Sequence, residues 1–255
     1  MALFPKTLMA VSAAAVLASL AFFQPAAALD DNQKKEFGDF IKQYLMEHPE
    51  VLLDAQAALD KKQEEARLTQ ANKAVAENKQ TIFNAKYDVT LGNPKGDVTV
   101  VEFFDYNCGY CRHALSDMDS LLQKDKNIRF VLKEFPILGP DSVAASKVSD
   151  AFRKLAPEKY ADFHHKLLSS DGRASEDSAI EVATSLGVKE DDIRKEMAAS
   201  PNSESVKETY QLATDLSLTG TPSYIIGNEA ISGAVGVDVI AQKVDNVRAC
   251  GKTTC

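Results

Sequence analysis

The chain has 255 residues, of which 45% are hydrophobic and 26% are charged, and this composition fits one sizeable globular domain with a smaller second unit. The formal net charge of −8 argues against a nucleic-acid partner, because binding to phosphates requires a basic surface.

Residues 1–28 are predicted to be a secretory signal peptide. Lys6 supplies a positive start, an apolar run follows, and Ala26-Ala27-Ala28 fits the small-residue rule for cleavage. The alternative is a membrane anchor, but an apolar run of about 16 residues is short for a span. We expect Sec export, cleavage near Ala28 and a periplasmic location, where disulfides persist.

Residues 29–85 are predicted to be helical. The first helix is amphipathic, and Pro49 ends it because a proline disfavours helical backbone in the residue before it. Its apolar residues recur at helical spacing: Phe37, Phe40, Ile41, Tyr44 and Leu45. From Glu50 a second helix is rich in strong helix formers and is apolar only at its start. We interpret residues 29–85 as an oligomerisation arm; the alternative is a helix lying on the catalytic domain.

The remainder alternates strands and helices. A strand near Tyr87 and a buried strand over 98–104 precede a Cys-x-x-Cys sequence, a helix over 111–124 and a strand over 128–135. Four or five helices between residue 142 and about 218 come next. Two short strands meet at Gly227-Asn228, a hairpin signal, and a helix over 237–248 follows. This order predicts an α/β fold with helices inserted in its middle.

Cys108 and Cys111 allow several chemistries. Haem attachment needs a histidine at position 112, which is Arg112. A structural zinc site needs four ligands, and Cys250 with Cys255 would be a loosely spaced second pair. Redox exchange fits best, because Cys108 would lie at a helix N-terminus that stabilises a thiolate, and Cys111, one turn inside, would resolve a mixed disulfide.

Two motifs carry a family resemblance. The sequence "VVEFFDYNCGYC", followed far along the chain by "TGTPSYIIG", resembles the DsbA-like thiol–disulfide oxidoreductases of the thioredoxin superfamily. The resemblance covers residues 86–248 and implies a thioredoxin fold with a helical insertion at about 141–218. The sequence "FIKQYLMEHPEVLLDAQAAL" resembles the N-terminal segment of the ScsC (suppressor of copper sensitivity) type, in which a helical stalk forms dimers or trimers.

The resemblance also implies roles for residues around the cysteines. Thr221-Pro222 would carry a cis peptide bond and expose backbone for a substrate chain, the alternative being an ordinary trans turn proline. Tyr110 would contribute to substrate binding. Glu102 stands where the family often has a buried acid and would relay the proton of Cys111; alternatively, it is a rim residue paired with Lys133.

These features predict a periplasmic thiol–disulfide oxidoreductase, and no cofactor or metal site is expected. Gly109-Tyr110 lacks the histidine of strongly oxidising members, and a threonine before the cis-proline is more typical of isomerases. We therefore expect an oligomeric isomerase or reductase. Its partners would be unfolded or misoxidised exported proteins and a ScsB/DsbD-like membrane electron donor. The alternatives are a monomeric DsbA-type oxidase and a copper-binding protein that uses the dithiol.

Two further pairs remain. Cys250 and Cys255, in the tail 249–255, are expected to form a structural disulfide; a redox role is the alternative. His164-His165 lies on an expected surface helix, and we assign this pair no function.

Overall fold

The computed structural model describes residues 30–199 and 203–255. The expected signal peptide and its cleavage site at Ala28 lie outside the described residues. The chain divides into two compact units, one ending at Lys61 and the other running from Lys62 to Cys255. In the part of the chain that the structure describes, no helix is both long and apolar enough to cross a membrane.

The first unit is helical. Helix α1 (Asp31–Glu47) begins with a capping box, in which Gln33 N donates to Asp30 Oδ1 at 2.8 Å and Asp30 N donates to Gln33 Oε1 at 3.0 Å. It ends at His48, whose φ of −128° is not helical, as expected before Pro49. Helix α2 (Glu50–Glu77) follows at once and continues into the second unit. The predicted helical N-terminal region is confirmed.

The two ends of this helical region differ in burial. Between residues 30 and 61 no residue is buried, and several large apolar side chains are exposed: Phe37, Phe40, Ile41, Tyr44, Met46, Leu52, Leu53 and Leu59. By contrast, Ala71, Ala74 and Val75 of α2 and Ile82 of α3 (Lys79–Phe83) are buried.

The end of the helical region packs within the second unit. Ala71, Ala74 and Val75 lie at i, i+3 and i+4, and their small side chains let the helix approach the sheet side chains Val101 and Phe103. The structural division at Lys61 thus differs from the arm boundary expected at residue 85. Burial of this helix begins at Ala71.

A five-stranded mixed sheet forms the centre of the second unit. The strands are β1 (Val89–Gly92), β2 (Val98–Phe104), β3 (Ile128–Glu134), β4 (Ser223–Ile226) and β5 (Glu229–Ser232). Their order is β1-β3-β2-β4-β5; β2 and β3 are parallel and the other neighbours antiparallel. The central position of β2 pairs Glu102 with Leu132 on one side and with Tyr224 on the other.

Helices cover the sheet and build the insertion. They are α4 (Gly109–Lys124), α5 (Pro140–Leu155), α6 (Tyr160–Ser169), α7 (Glu176–Ser185), α8 (Glu190–Ala199), α9 (Ser203–Asp215) and α10 (Val237–Cys250), with a 3-10 turn at Pro157–Lys159. Helices α5 to α9 lie between β3 and β4. The predicted thioredoxin fold with an inserted helical domain is confirmed.

The two faces of β2 pack against different apolar clusters. Val100 and Phe104 join a cluster with Cys108, Cys111 and side chains of the insertion such as Phe163. Val101 and Phe103 join the cluster that includes the end of α2. Alternate residues of a strand point to opposite faces, so Glu102 lies on the face of Val100 and Phe104, toward the cysteines.

The C-terminal tail closes against the β4–β5 turn. Cys250 and Cys255 form a disulfide, and Asn246 Nδ2 donates to Thr253 O at 2.8 Å. Gly227 in the turn has φ +57°, and a Cβ there would lie 2.8 Å from Val247 Cγ2. Because Cys250 is the last residue of α10, it lies at the helix end that disfavours a thiolate.

Candidate active site

Cys108 caps the N-terminus of α4, directly after the loop that follows β2. Its Sγ accepts a hydrogen bond from Cys111 N at 3.3 Å, and its own N donates to Asp105 O at 3.0 Å. The first N–H groups of a helix have no intrahelical partner, so they are free to stabilise an anionic sulfur.

The two thiols have opposite acidities. The pKa of Cys108 falls to about 6, chiefly because it is hydrogen-bonded to the Cys111 thiol; burial acts against this shift, and hydrogen bonding with Thr221 and with backbone N–H groups adds to it. Burial raises the pKa of Cys111, and the hydrogen bond with Cys108 and the charge of Glu102 raise it further. Cys108 is thus suited to attack and Cys111 to remain protonated until needed.

The Thr221–Pro222 segment faces Cys108. Its peptide bond is cis, and the Cys108 thiol donates to Thr221 O at 3.1 Å. Gly233 N donates to Pro222 O at 2.9 Å, which anchors the segment to the end of β5. Tyr110, between the cysteines, is 70% exposed.

Glu102 is buried, with 3% of its surface exposed, and its charge acts on Cys111. Burial is the largest reason that its pKa rises to about 8, and the negative charges of Cys108 and Asp117 contribute. Among the described residues, Glu102 Oε1 has no hydrogen-bond partner. This carboxyl group is therefore poised to exchange a proton near neutral pH.

The alternative of a rim residue paired with Lys133 is wrong. Lys133 Nζ instead lies 2.6 Å from Asp88 Oδ1 and 2.7 Å from Thr81 O. Lys133 pairs with Phe103 in the sheet register, so strand alternation directs it to the face opposite Glu102.

Other candidate residues lie away from the cysteines or in unexpected surroundings. The Cys250–Cys255 disulfide lies beside the β4–β5 turn, whereas Ser223, at the other end of β4, pairs with Phe103 near the Cys108 loop. The surface location expected for His164 is wrong: it is buried against Phe104, and burial lowers its pKa to about 3.

The sequence analysis missed three polar side chains that surround the cysteines. Asp105, Asn107 and Arg112 each form hydrogen bonds to segments between β3 and the start of α7. Their only sequence signal is a polar position beside the cysteine pair, directly after a buried strand. As for metals, no group of three or more metal-ligating side chains is found within residues 30–199 and 203–255. Cys108 and Cys111 are two soft thiol ligands at this site.

The acidity of Cys108 predicts a pH-dependent reactivity. Alkylation by iodoacetamide should rise as pH increases through about 6 and level off above it, because the thiolate is the nucleophile. Mass spectrometry of the modified protein checks this and should find Cys111 unmodified over the same range. A midpoint near the ordinary thiol value, or equal labelling of both cysteines, would contradict the inferred asymmetry.

Two family models match the chain. The DSBA-like thioredoxin domain matches residues 99–245, and the copper resistance protein ScsC N-terminal domain matches residues 33–66. The second match ends close to the structural division at Lys61.

Solved structures extend these matches. A thioredoxin-like oxidoreductase from Silicibacter pomeroyi DSS-3 is 36% identical, with a TM-score of 0.65 over 68% of this chain and 99% of that one. The thiol-disulfide exchange protein alpha-DsbA2 from Wolbachia pipientis is 33% identical, with a TM-score of 0.66 over 71% and 98%. Proteus mirabilis ScsC in a transitional conformation is 26% identical, with a TM-score of 0.59 over 87% and 98%.

The curated relatives include a much longer protein. The chain is 24% identical over 159 residues to Na(+)/H(+) antiporter NhaA 1 of Salinispora arenicola, a match over 62% of this chain but only 24% of that protein. The DSBA-like model, in contrast, spans more than half of this chain and includes both cysteines and Thr221-Pro222. The chain belongs to the DsbA-like thioredoxin family and carries an ScsC-type N-terminal domain ahead of it.

Proposed function

We propose that this protein is a thiol–disulfide oxidoreductase that exchanges disulfides with other proteins. The observation that carries the proposal is the opposite acidity of two thiols one helical turn apart, Cys108 with a pKa near 6 and Cys111 with a raised pKa. Exchange needs one sulfur that is a thiolate at neutral pH and a second that acts only after the first has reacted.

The reaction balances in two displacements. Cys108 Sγ⁻ attacks a substrate disulfide, forms a mixed disulfide and expels one substrate thiolate. Cys111 then loses its proton and attacks Cys108 Sγ, which releases the second substrate thiolate and leaves the Cys108–Cys111 disulfide. The substrate gains two electrons and the protein loses two. The reverse sequence oxidises a substrate dithiol. Isomerisation occurs when Cys108 attacks a substrate disulfide and a different substrate thiolate then displaces Cys108, with no net electron transfer.

Glu102 is proposed to accept the proton of Cys111. Its charge is among the groups that raise the pKa of Cys111, and its unpartnered Oε1 is kept from water. A buried carboxylate is a stronger base than one in water, because burial disfavours its charged form.

The substrate chain is proposed to bind across Thr221, Pro222 and Tyr110. The contact between Cys108 Sγ and Thr221 O brings this backbone to the reacting sulfur, so a chain paired with it would lie over that sulfur. The exposed ring of Tyr110 supplies apolar area beside it.

We further propose a periplasmic, oligomeric isomerase or reductase. The expected signal peptide, the ScsC-type domain and the absence of a histidine in Gly109-Tyr110 support this. Its partners would be unfolded or misoxidised exported proteins, and a membrane electron donor of the ScsB/DsbD type would keep it reduced. The exposed apolar side chains of residues 30–61 support association into a dimer or trimer through the arm.

Copper binding by the reduced dithiol is the second candidate. It is favoured by the copper-resistance name of the matched N-terminal domain and by the softness of thiolate ligands for copper(I).

Substitution of the cysteines separates these functions. Refolding of a scrambled-disulfide ribonuclease should be lost in Cys108→Ser, whereas Cys111→Ser should accumulate a mixed disulfide at Cys108 because nothing resolves it. Gels without reductant and recovered ribonuclease activity provide the readouts. A wild-type protein that only oxidises reduced ribonuclease would indicate an oxidase. No exchange in either direction, with copper(I) bound to the dithiol, would favour the second candidate.

The Glu102 role is tested by a single turnover with Ellman's reagent. Release of the first chromophore reports attack by Cys108, and release of the second reports resolution by Cys111. Glu102→Gln should leave the first phase intact and slow the second by about tenfold or more, because the proton acceptor is gone. In wild type the second phase should accelerate as pH rises through about 8, where Glu102 ionises.

The matched control for this test is Glu134→Gln on the neighbouring strand. Glu134 is a partly buried acid that also has a raised pKa, about 7, but its Oε1 accepts hydrogen bonds from Ser149 and Tyr160. Glutamine keeps an acceptor there, so the second phase should be unchanged. Equal slowing in both variants would mean that Glu102 acts through packing.

The arm is tested in the full chain by a double substitution. Phe40→Gln with Ile41→Gln removes two side chains that are 66% and 53% exposed and keeps good helix formers. The control, Lys35→Gln with Lys42→Gln, changes the opposite side of α1. Light scattering should show a smaller particle only for the first pair, and isomerisation of ribonuclease should fall with it. An unchanged particle mass in the Phe40/Ile41 variant would show that these side chains do not mediate assembly.

A further inference from the structure

Asn107, directly before Cys108, forms three hydrogen bonds to the helical insertion. Its Nδ2 donates to Ser142 Oγ at 3.0 Å and to Ala174 O at 2.9 Å, and its Oδ1 accepts from Ala174 N at 2.8 Å. Both N–H bonds of the amide and one oxygen lone pair are therefore in use, and the pairing with Ala174 imitates a backbone pairing between two strands.

The anchor points of Asn107 are themselves fixed. Ser142 is 1% exposed and lies in the first turn of α5, and Ala174 is 2% exposed and precedes α7. A hydrogen bond between a side chain and a buried backbone group does not exchange freely with water, so it fixes position more firmly than a surface contact. Asn107 is separated from Ala174 by 67 residues, so this tie joins distant parts of the chain.

Neighbouring side chains support the same connection. Asp105 Oδ1 accepts from Asn107 N at 2.7 Å, and Asp105 Oδ2 accepts from Leu138 N at 2.9 Å, in the loop that leads to the insertion. On the other side of the cysteines, Arg112 Nε donates to Leu168 O at 3.1 Å. The cysteine segment is thus held to the insertion both before Cys108 and after Cys111.

We infer that Asn107 is a positioning residue through which the helical insertion sets the location of Cys108 Sγ. Cys108 must hold its sulfur 3.3 Å from Cys111 N and 3.1 Å from Thr221 O at the same time. Its backbone is extended, with φ −81° and ψ 113°, and no helical hydrogen bond fixes the preceding residue. The amide of Asn107 supplies that restraint. The effect of Asn107 on catalysis rests on the proposed exchange function, whereas its effect on the position of Cys108 Sγ does not.

The test is a titration of the Cys108 thiolate in the reduced full-length protein, followed by ultraviolet absorbance. Asn107→Ala should raise the midpoint from about 6 by about half a pH unit or more, because a displaced sulfur loses hydrogen bonds that stabilise its charge. Alkylation at a pH equal to the wild-type midpoint should slow about twofold or more. Ser142→Ala, which removes one acceptor, should shift the midpoint in the same direction by less.

Asn246→Ala is the matched control, because it removes a hydrogen bond from a side-chain amide to the backbone oxygen of Thr253, near the tail disulfide. It should leave the midpoint unchanged. If Asn107→Ala and Ser142→Ala both titrate like wild type while only the unfolding temperature falls, Asn107 is merely structural and the inference is overturned. If Asn107→Ala does not fold, Ser142→Ala decides alone, since a wild-type midpoint there also overturns it. If wild type did not refold ribonuclease, the proposed function would be wrong, but the titration would still test the role of Asn107.

Discussion

A thiolate at the start of α4 is the constraint on which the other features of the site depend. A sulfur anion with only 6% of its residue exposed must be stabilised by hydrogen-bond donors rather than by water. The Cys111 thiol is the chief donor, and the free backbone N–H groups at the helix N-terminus add to it. This requires β2 to end at Phe104 so that α4 can begin at Gly109. The pairing of β4 with β2 places the Thr221 carbonyl beside Cys108, where it accepts a hydrogen bond from the protonated thiol.

The buried acid Glu102 lowers the folding stability of the protein above the ordinary carboxyl pKa. Glu102 has its pKa raised to about 8, so folding takes up a proton at this group once pH exceeds the ordinary carboxyl value of 4.5. In the unfolded chain the group is ionised above 4.5, whereas in the folded chain it stays protonated until about 8. Its contribution therefore lowers stability progressively across that window and remains unfavourable above it. An apolar residue on this face of β2 would avoid the penalty, and the proton transfer that we propose for Glu102 would account for an acid there.

Short-range sequence patterns predicted much of this architecture. Contacts between residues far apart in the sequence could not be predicted in this way. The buried strand over 98–104 and the hairpin at Gly227 have short-range patterns, and the family motifs identified Cys108 with Pro222. The division at Lys61 had no such signal, because an alanine-rich helix has the same composition whether it is exposed or, as at Ala74, packed on a sheet. The ties of Asn107 also reach segments far along the chain, and strand or helix periodicity does not encode them.

Apolar side chains are buried in the second unit and exposed in the first, and this difference separates the chemistry of the thiols from association between chains. Residues from Lys62 onward enclose their own apolar clusters on both faces of the sheet, so the thiol site is complete within one chain. The large apolar side chains of residues 30–61 are exposed. Full burial of such a side chain from water contributes roughly 1.5–3 kcal/mol, and these, which are 45% to 76% exposed, would contribute part of that. Association through such side chains would leave the contacts of Cys108 with Cys111 and Thr221 unchanged. Assembly would then decide which substrates reach the sulfur and whether several chains engage one of them, while the acidity of the sulfur is fixed within each chain.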